Sequence, residues 1–235
     1  MRYPRRYNVV VPVALGVVGT AAAGTLAGVW VGAGSAYPLT AAAVAAATLA
    51  AIVGVAGHEH PFTTFGAANV VTTIRVALVA LVAALVGRDA DAAVLWFALA
   101  LAGIEVALDG FDGWLARRGG LASEFGARFD METDALLILV LSVLVWQHEK
   151  AGAWVLLCGL MRYLFVAGGR LLPWLRRPLR STLRGKTVAV LQVGGLGAAL
   201  APIVPPPHST VVAAVTLAAL LWSFIVDILW LAKET

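Results

Sequence analysis

The sequence predicts an all-α, polytopic transmembrane helical bundle of about eight spans. Hydrophobic residues make up 61% of the 235 residues and charged residues only 13%, whereas soluble domains carry roughly 25% charged residues. The mean hydropathy is +0.90. Apolar residues also gather in windows of about 20 residues, the length at which a helix crosses a bilayer. These three observations exclude an ordinary soluble domain.

The first two spans are predicted from one long uncharged stretch. No charged residue occurs between Arg6 and Glu59, and this stretch is too long for the hydrophobic part of a secretion signal. It holds two crossings of about 20 residues each. The turn-rich segment 32–38 is the expected break between them.

Each of the other six spans follows a short polar segment, at 58–61, 88–91, 118–120, 148–150, 176–178 and 205–208. The stretch after each of these segments is long and apolar enough for one membrane helix. We therefore predict helices at 8–31, 38–57, 66–87, 92–115, 128–148, 151–172, 186–204 and 209–231.

Basic residues are distributed unequally over the two sides of this topology. Eight spans place both termini and alternate loops on one side, together with thirteen of the 17 Lys and Arg residues. The opposite side has Arg88 and Lys150, while Arg75 and Arg162 fall within spans. Because cytoplasmic loops carry an excess of Lys and Arg, we expect a multi-pass protein of the cytoplasmic membrane with both termini in the cytoplasm.

The net charge of +4 does not indicate a nucleic-acid-binding protein. The basic residues are confined to short segments between helices, which suits lipid headgroups and helix orientation. We therefore predict membrane lipid, and no nucleic acid, as a partner. The one cysteine, Cys158, lies in an apolar run and is expected to be a buried, inert thiol.

Four aspartates, Asp109, Asp112, Asp130 and Asp134, lie at the predicted cytoplasmic ends of two consecutive helices. Residues three or four apart share a helix face, so each helix presents two carboxylates in one direction. Ionisable groups at such depth are costly and usually mark function, and four carboxylates repel one another unless a cation compensates. Oxygen ligands favour Mg²⁺, Mn²⁺ or Ca²⁺ over Zn²⁺. Because Mg²⁺ commonly keeps positions for substrate phosphates, the cluster predicts a phosphate-containing substrate.

Small and basic residues accompany the acids. Gly113 and Ala116 let a ligand or a neighbouring helix approach the backbone closely. Arg117 offers a planar fork of donors that suits phosphate oxygens. Two metal ions with an arginine form a clamp for displacement at phosphorus.

The acids and their neighbours form the pattern Asp109-x2-Asp112-Gly113-x2-Ala116-Arg117-x8-Gly126-x3-Asp130-x3-Asp134. This pattern resembles the signature of the CDP-alcohol phosphotransferase (CDP-alcohol phosphatidyltransferase) family at every fixed position. A weaker resemblance to the family lies one helix upstream, at Asn69-x2-Thr72-x2-Arg75.

The resemblance implies a domain organisation and an assembly. Family members are similar in having a six-helix core, which the last six predicted spans supply. Residues 58–235 would then be the catalytic core, and residues 1–57 two additional N-terminal transmembrane helices. The resemblance also implies a homodimer.

The resemblance further implies the roles of individual residues. Asp109, Asp112 and Asp130 would hold two divalent cations, Mg²⁺ or Mn²⁺, that grip the donor diphosphate. Asp134 would be the base that takes the proton of the acceptor hydroxyl, and would also contact a metal. The residues implied for the donor nucleotide and diphosphate are Asn69, Thr72, Gly113, Ala116, Arg117 and Gly126.

Four further charged residues keep two interpretations each. Arg162 either pairs with an acid such as Asp227 or snorkels to the membrane surface, or else it binds the phosphate of an acceptor. Arg184 and Lys186 either reflect the positive-inside bias alone or belong to the same acceptor site. Glu105, four residues before Asp109, either extends the acidic site or is a buried protonated acid.

The predicted function is an enzyme of phospholipid synthesis with its active site at the cytoplasmic side. It would transfer a phosphatidyl group from CDP-diacylglycerol to an alcohol acceptor, including a phosphorylated polyol, with release of CMP. The alternative within enzymes is transfer of a phosphoalcohol from a CDP-alcohol to diacylglycerol. The alternative of another class is a cation transporter, since acids inside membranes also mark ion pathways.

Overall fold

The computed structural model describes residues 10–56, 66–89, 91–119, 124–176 and 182–233. These residues form helices and the connections between them, without strands, so the prediction of an all-α fold is confirmed. The helices are α1 (Val10–Trp30), α2 (Ala36–Ala56), α3 (Gly66–Ala83), α4 (Ala92–Gly119), α5 (Glu124–Gln147), α6 (Leu156–Leu171), α7 (Leu183–Leu200) and α8 (His208–Lys233).

Each of the eight predicted spans corresponds to one helix, but several ends differ. Helix α4 continues to Gly119, beyond the predicted end at 115, and α5 begins at Glu124 rather than at 128. An apolar window ends where charges begin, whereas a helix continues through good helix formers such as Ala and Arg. Helix α3 ends at Ala83 instead of 87, and Gly87 follows with a φ of +79°. Glycine adopts this left-handed conformation without the cost that a Cβ imposes.

Five stretches of the described helices are long and apolar enough to cross a membrane, as expected for a multi-pass membrane protein. The remaining three helices, α3, α5 and α7, are shorter or carry several charged residues. Bilayer crossing by all eight helices therefore stays a prediction. The five stretches are Val11–Trp30, Ala36–Gly54, Ala92–Gly110, Ala153–Leu171 and His208–Lys233.

The chain forms two compact units, and the first comprises Met1–Asp134. Within it α1 packs on α2, both pack on α3, and α3 packs on α4. Helix α1 approaches α2 closely at Gly24, where an added Cβ would lie 2.9 Å from the Cα of Pro38. The core of this unit joins three helices through Ala45, Leu49 and Ile52 of α2, Val76 and Ala80 of α3, and Phe129 of α5.

Polar groups fasten α2 to the end of α3 in the same unit. The hydroxyl of Tyr37 donates a hydrogen bond of 2.8 Å to the carbonyl oxygen of Leu81. The guanidinium of Arg88 donates to the carbonyl oxygen of Ala33 and lies over the Tyr37 ring, 5.7 Å from its centroid. These bonds satisfy backbone carbonyls at the turns, which an apolar surrounding would otherwise leave unpaired.

The second unit comprises Ala135–Thr235 and contains α6, α7 and α8. Helices α7 and α8 touch where an added Cβ on Gly195 would lie 2.1 Å from Oγ1 of Thr216. The buried Lys150 donates from Nζ to the carbonyl oxygens of Ala201 and Val204, at 3.0 and 2.9 Å. Its own carbonyl oxygen accepts from Oγ of Ser209 at 2.7 Å. The turn after α5 is thereby tied to the connection between α7 and α8.

The closest helix contact in the second unit predicts a stability effect. An added Cβ on Gly159 of α6 would lie 2.4 Å from the Cα of Leu139, so backbone must move to accept it. We expect Gly159→Ala to lower the free energy of unfolding by about 1–3 kcal/mol, seen as a lower melting temperature in detergent.

The matched control is Gly194→Ala on α7, where an added Cβ meets nothing within 4 Å among the described atoms. There the substitution gains helix propensity without a clash, so its melting temperature should not fall. Equal melting temperatures for the two variants would contradict the contact between α5 and α6.

Candidate active site

Residues of three helices, α3, α4 and α5, bring three of the four aspartates of the signature together in the first unit. Asp109 lies on α4, and Asp130 and Asp134 lie one turn apart on α5. Helix α3 contributes Arg75, and α4 contributes Glu105, one turn before Asp109. Residues four apart share a helix face, so α4 and α5 each present a pair of acids to the guanidinium of Arg75.

The three aspartates are close enough to share a cation. One carboxylate oxygen from each of Asp109, Asp130 and Asp134 lies within 4.8 Å of the other two. Oxygen atoms on opposite sides of a Mg²⁺ ion are about 4 Å apart, and those around a Ca²⁺ ion about 5 Å. The donor set consists of oxygen alone, which suits these hard cations. The residues present therefore fit a divalent metal.

Arg75 contacts every described acid of the cluster. Its Nε and Nη2 each lie 3.0 Å from Oε1 of Glu105, and its Nη1 lies 3.0 Å from Oδ1 of Asp109. Nη1 also contacts Asp130, and Nη2 also contacts Asp134. A planar guanidinium offers five donors in fixed directions, which is why one side chain can hold carboxylates from two helices.

Burial divides the cluster into an inner and an outer part. The side chains of Arg75 and Glu105 are 0% and 2% exposed, whereas those of Asp109, Asp130 and Asp134 are 42%, 39% and 41% exposed. The inner part is an ion pair that water does not reach, and breaking such a pair costs about 3–5 kcal/mol. The outer carboxylates remain accessible to a ligand.

The side chains of several predicted site residues lie outside the part of the chain that the structure describes. The backbone of α4 is helical through Gly119, but the side chains of Asp112, Ala116 and Arg117 lie outside the described residues, and so do the surroundings of Gly113. Gly126 lies in the first turn of α5, one turn before Asp130. The fourth metal ligand and most of the donor site therefore stay predictions.

The two upstream residues of the donor site lie on the helix that carries Arg75. Asn69 and Thr72 are buried on α3, three residues apart and on the ridge that leads to Arg75. The backbone carbonyl of Asn69 accepts a hydrogen bond of 2.8 Å from Oγ1 of Thr73. Contact of Asn69 and Thr72 with a nucleotide stays a prediction.

The predicted acceptor residues all belong to the second unit. Arg162 lies half-buried on α6, and Lys186 is exposed in the first turn of α7. Arg184 donates from Nη2 to Oδ1 of Asp227 on α8, and its guanidinium lies 5.9 Å from the ring centroid of Trp222. Asp227 thus pairs with Arg184 and not with Arg162, the partner that the sequence suggested.

Residue spacing alone does not assign Arg75 to the acidic cluster, and it leaves Glu105 with two interpretations. The signal was nevertheless present, because opposite charges inside two consecutive membrane helices are costly unless they pair. Arg75 lies within the third predicted span and Glu105 within the fourth. Their pairing requires knowing which faces of α3 and α4 meet, which hydropathy does not give.

The fold and the site together define a multi-pass membrane protein whose helices hold a carboxylate cluster fitted to a divalent cation. The family model described as CDP-alcohol phosphatidyltransferase matches residues 65–227, more than half of the chain. The chain belongs to this family, which confirms the resemblance drawn from its signature.

One curated relative is similar to a part of the chain. A segment of 78 residues is 35% identical to a protein of Cereibacter sphaeroides named CDP-diacylglycerol--glycerol-3-phosphate 3-phosphatidyltransferase. The match covers 32% of this chain and 35% of the relative, so the chain spans about a third of that protein's length. No solved structure matches the chain.

The ion pair between α7 and α8 gives a testable prediction. Asp227 is largely buried beside Arg184, and a hydrogen bond to a charged group contributes about 1.5–3 kcal/mol. We expect Asp227→Asn to lower the melting temperature in detergent. Glu149→Gln, the same chemical change at an exposed residue of the same unit, should leave it unchanged. An unchanged melting temperature for Asp227→Asn would contradict a stabilising ion pair between Arg184 and Asp227.

Proposed function

We propose that this protein transfers a phosphatidyl group from CDP-diacylglycerol to an alcohol acceptor and releases CMP. The observation that carries the proposal is the gathering of Asp109, Asp130 and Asp134 within 4.8 Å of one another, in a chain of the CDP-alcohol phosphatidyltransferase family. The active site would be the exposed side of this cluster.

The proposed cofactor is a pair of divalent cations, Mg²⁺ or Mn²⁺. Asp109, Asp112, Asp130 and Asp134 would hold them. Bound there, such ions would neutralise the donor diphosphate and stabilise the charge that develops on the leaving phosphate. Carboxylates with two-fifths of their surface exposed leave room for phosphate oxygens to complete the coordination.

The proposed chemistry is one displacement at phosphorus. Asp134 accepts the proton of the acceptor hydroxyl, and the hydroxyl oxygen attacks the phosphorus that carries the diacylglycerol. The new phosphodiester bond forms as the bond to the CMP oxygen breaks, and CMP leaves with the electron pair. Asp134 suits the role because its carboxylate is partly exposed while Arg75 holds it from the buried side.

The donor would bind beside the cluster. Gly113, Ala116, Arg117 and Gly126 would line the cytidine diphosphate site, with Asn69 and Thr72 next to it. The positions of Asn69 and Thr72 on the helix of Arg75 support this assignment, because a diphosphate gripped at the aspartates lies within reach of that helix.

A lipid donor is favoured over a CDP-linked small alcohol. A site at the membrane's cytoplasmic face lets the acyl chains remain in lipid while the headgroup reaches water. The relative from Cereibacter sphaeroides is named for the same donor and for glycerol 3-phosphate, which makes glycerol 3-phosphate the first acceptor to test.

A phosphorylated acceptor requires basic residues. Arg162, Arg184 and Lys186 would bind its phosphate. Support comes from Arg184, whose buried Nε has no hydrogen-bond partner among the described residues and so keeps a donor after pairing with Asp227.

The proposed setting is the cytoplasmic membrane, with both termini and the active site on the cytoplasmic side, and the proposed assembly is a homodimer. The bias of thirteen against two basic residues supports this orientation.

The reaction is tested by CMP release from purified protein in detergent with CDP-diacylglycerol, Mg²⁺ and a panel of phosphorylated and free alcohols. We expect release that depends on one acceptor. Asp134→Asn should lower it at least about 100-fold, because a positioned base contributes about 10²–10⁴ to the rate. Asp89→Asn, the same change in an exposed loop, should have no effect.

Two results would contradict the assignment. Release from a CDP-linked alcohol with diacylglycerol, and none from CDP-diacylglycerol, would reverse donor and acceptor. Equal release by Asp134→Asn and the wild-type protein would remove Asp134 from the base role.

Removal of metal gives a second test. Carboxylates alone cannot neutralise a diphosphate, so treatment with EDTA is expected to abolish CMP release. Excess Mg²⁺ or Mn²⁺ should restore it. Full activity after exhaustive chelation and dialysis would rule out metal-dependent transfer.

A further inference from the structure

Glu105 is a buried charge that the proposed chemistry does not use. Its side chain is 2% exposed, so it cannot touch a substrate that reaches the aspartates from their exposed side. A charged side chain at this depth in an apolar helix is costly and is rarely kept without a partner. Its partner is Arg75, whose Nε and Nη2 both lie 3.0 Å from Oε1.

This pairing fixes the direction in which the guanidinium points. Nε and Nη2 share one edge of the planar group, and Glu105 binds that edge. The other terminal nitrogen, Nη1, is thereby turned toward Asp109 and Asp130. Nη2 lies between Glu105 and Asp134 and contacts both.

The guanidinium of Arg75 and a divalent cation would bind the same three aspartates. Both are attracted to the carboxylate oxygens, so an unrestrained Arg75 would compete with a metal for them. A guanidinium held at the buried side by a fourth carboxylate leaves the exposed side of the aspartates accessible. Glu105 also offsets the positive charge that Arg75 adds to the cluster.

We propose that Glu105 is a positioning residue that acts through Arg75. It anchors the guanidinium so that Arg75 orients Asp109, Asp130 and Asp134 from the buried side without displacing a divalent cation from them. This inference rests on the proposed function for the identity of the bound ion, and it assigns Glu105 no contact with substrate.

The direct test measures binding of Mn²⁺ alone, by electron paramagnetic resonance, to the protein in detergent without substrates. Glu105→Gln keeps the shape and an acceptor oxygen but removes the charge. We expect it to weaken Mn²⁺ binding by roughly tenfold, because a guanidinium that is no longer anchored by a carboxylate competes with the ion for the aspartate oxygens. Tyr37→Phe, which removes a buried hydrogen bond in the same unit, should bind Mn²⁺ as the wild-type protein does.

A second variant tests whether the released guanidinium of Arg75 causes the loss of affinity in Glu105→Gln. Arg75→Met combined with Glu105→Gln removes both members of the pair, and this exchange keeps the net charge of the cluster. Replacing a whole buried pair is often tolerated, unlike breaking one. We expect the double variant to regain most of the lost Mn²⁺ affinity. Affinity as low as that of Glu105→Gln alone would overturn the proposal.

Steady-state kinetics give an independent readout that does not need the double variant. In Glu105→Gln the concentration of Mn²⁺ that half-saturates CMP release should rise about tenfold, while kcat at saturating Mn²⁺ stays near the wild-type value. A purely structural role would lower kcat and the melting temperature and leave the half-saturating concentration unchanged, which would overturn the proposal.

The outcomes distinguish this inference from the proposed function. Wild-type Mn²⁺ affinity in Glu105→Gln would reject the role of Glu105 even if the wild-type protein releases CMP. Weakened Mn²⁺ binding in Glu105→Gln, regained in the double variant but without CMP release from any wild-type mixture, would uphold the role and reject the reaction. No binding of Mn²⁺ by the wild-type protein would reject both.

Discussion

The side chain of Arg75 is the constraint on which the first unit depends. It is fully buried and contacts Glu105, Asp109, Asp130 and Asp134. A guanidinium in an apolar bundle is tolerated only where its donors are satisfied, and these acids supply acceptors from two other helices. The same contacts relieve the repulsion among the carboxylates. Helices α3, α4 and α5 are therefore held in one register by the groups that form the site.

Away from this cluster the helices are held by close approach and by bonds to backbone. Lipid offers no hydrophobic drive for helices to associate, so small residues at contacts and hydrogen bonds between helices gain importance. Gly24 lies against Pro38, and Gly195 lies against Thr216. Nε2 of Gln192 donates 2.8 Å to the carbonyl oxygen of Thr216. Each unit thus uses the same two devices, although its sequence is almost uniformly apolar.

Hydropathy and spacing predicted the number and order of helices and three of the acids that meet, but not the residue at their centre. Helix periodicity shows that Asp130 and Asp134 share a face, because that relation is local. It does not show which neighbouring helix faces them. From the sequence, Arg75 belongs only to the upstream segment that begins at Asn69, and Glu105 keeps two interpretations. Helix ends were missed for a related reason, since an apolar window reports burial in lipid while caps and helix propensity decide where a helix stops.

The two N-terminal helices precede the matched family region, yet their packing bears on the site. Leu49 and Ile52 of α2 share a buried core with Val76 and Phe129. Val76 follows Arg75 in the chain, and Phe129 precedes Asp130. Because interiors are close-packed, a shift of α3 against α5 would open a cavity in this core. Helix α2 therefore stabilises the packing of α3 against α5 beside the site, without contributing a described residue to the cluster.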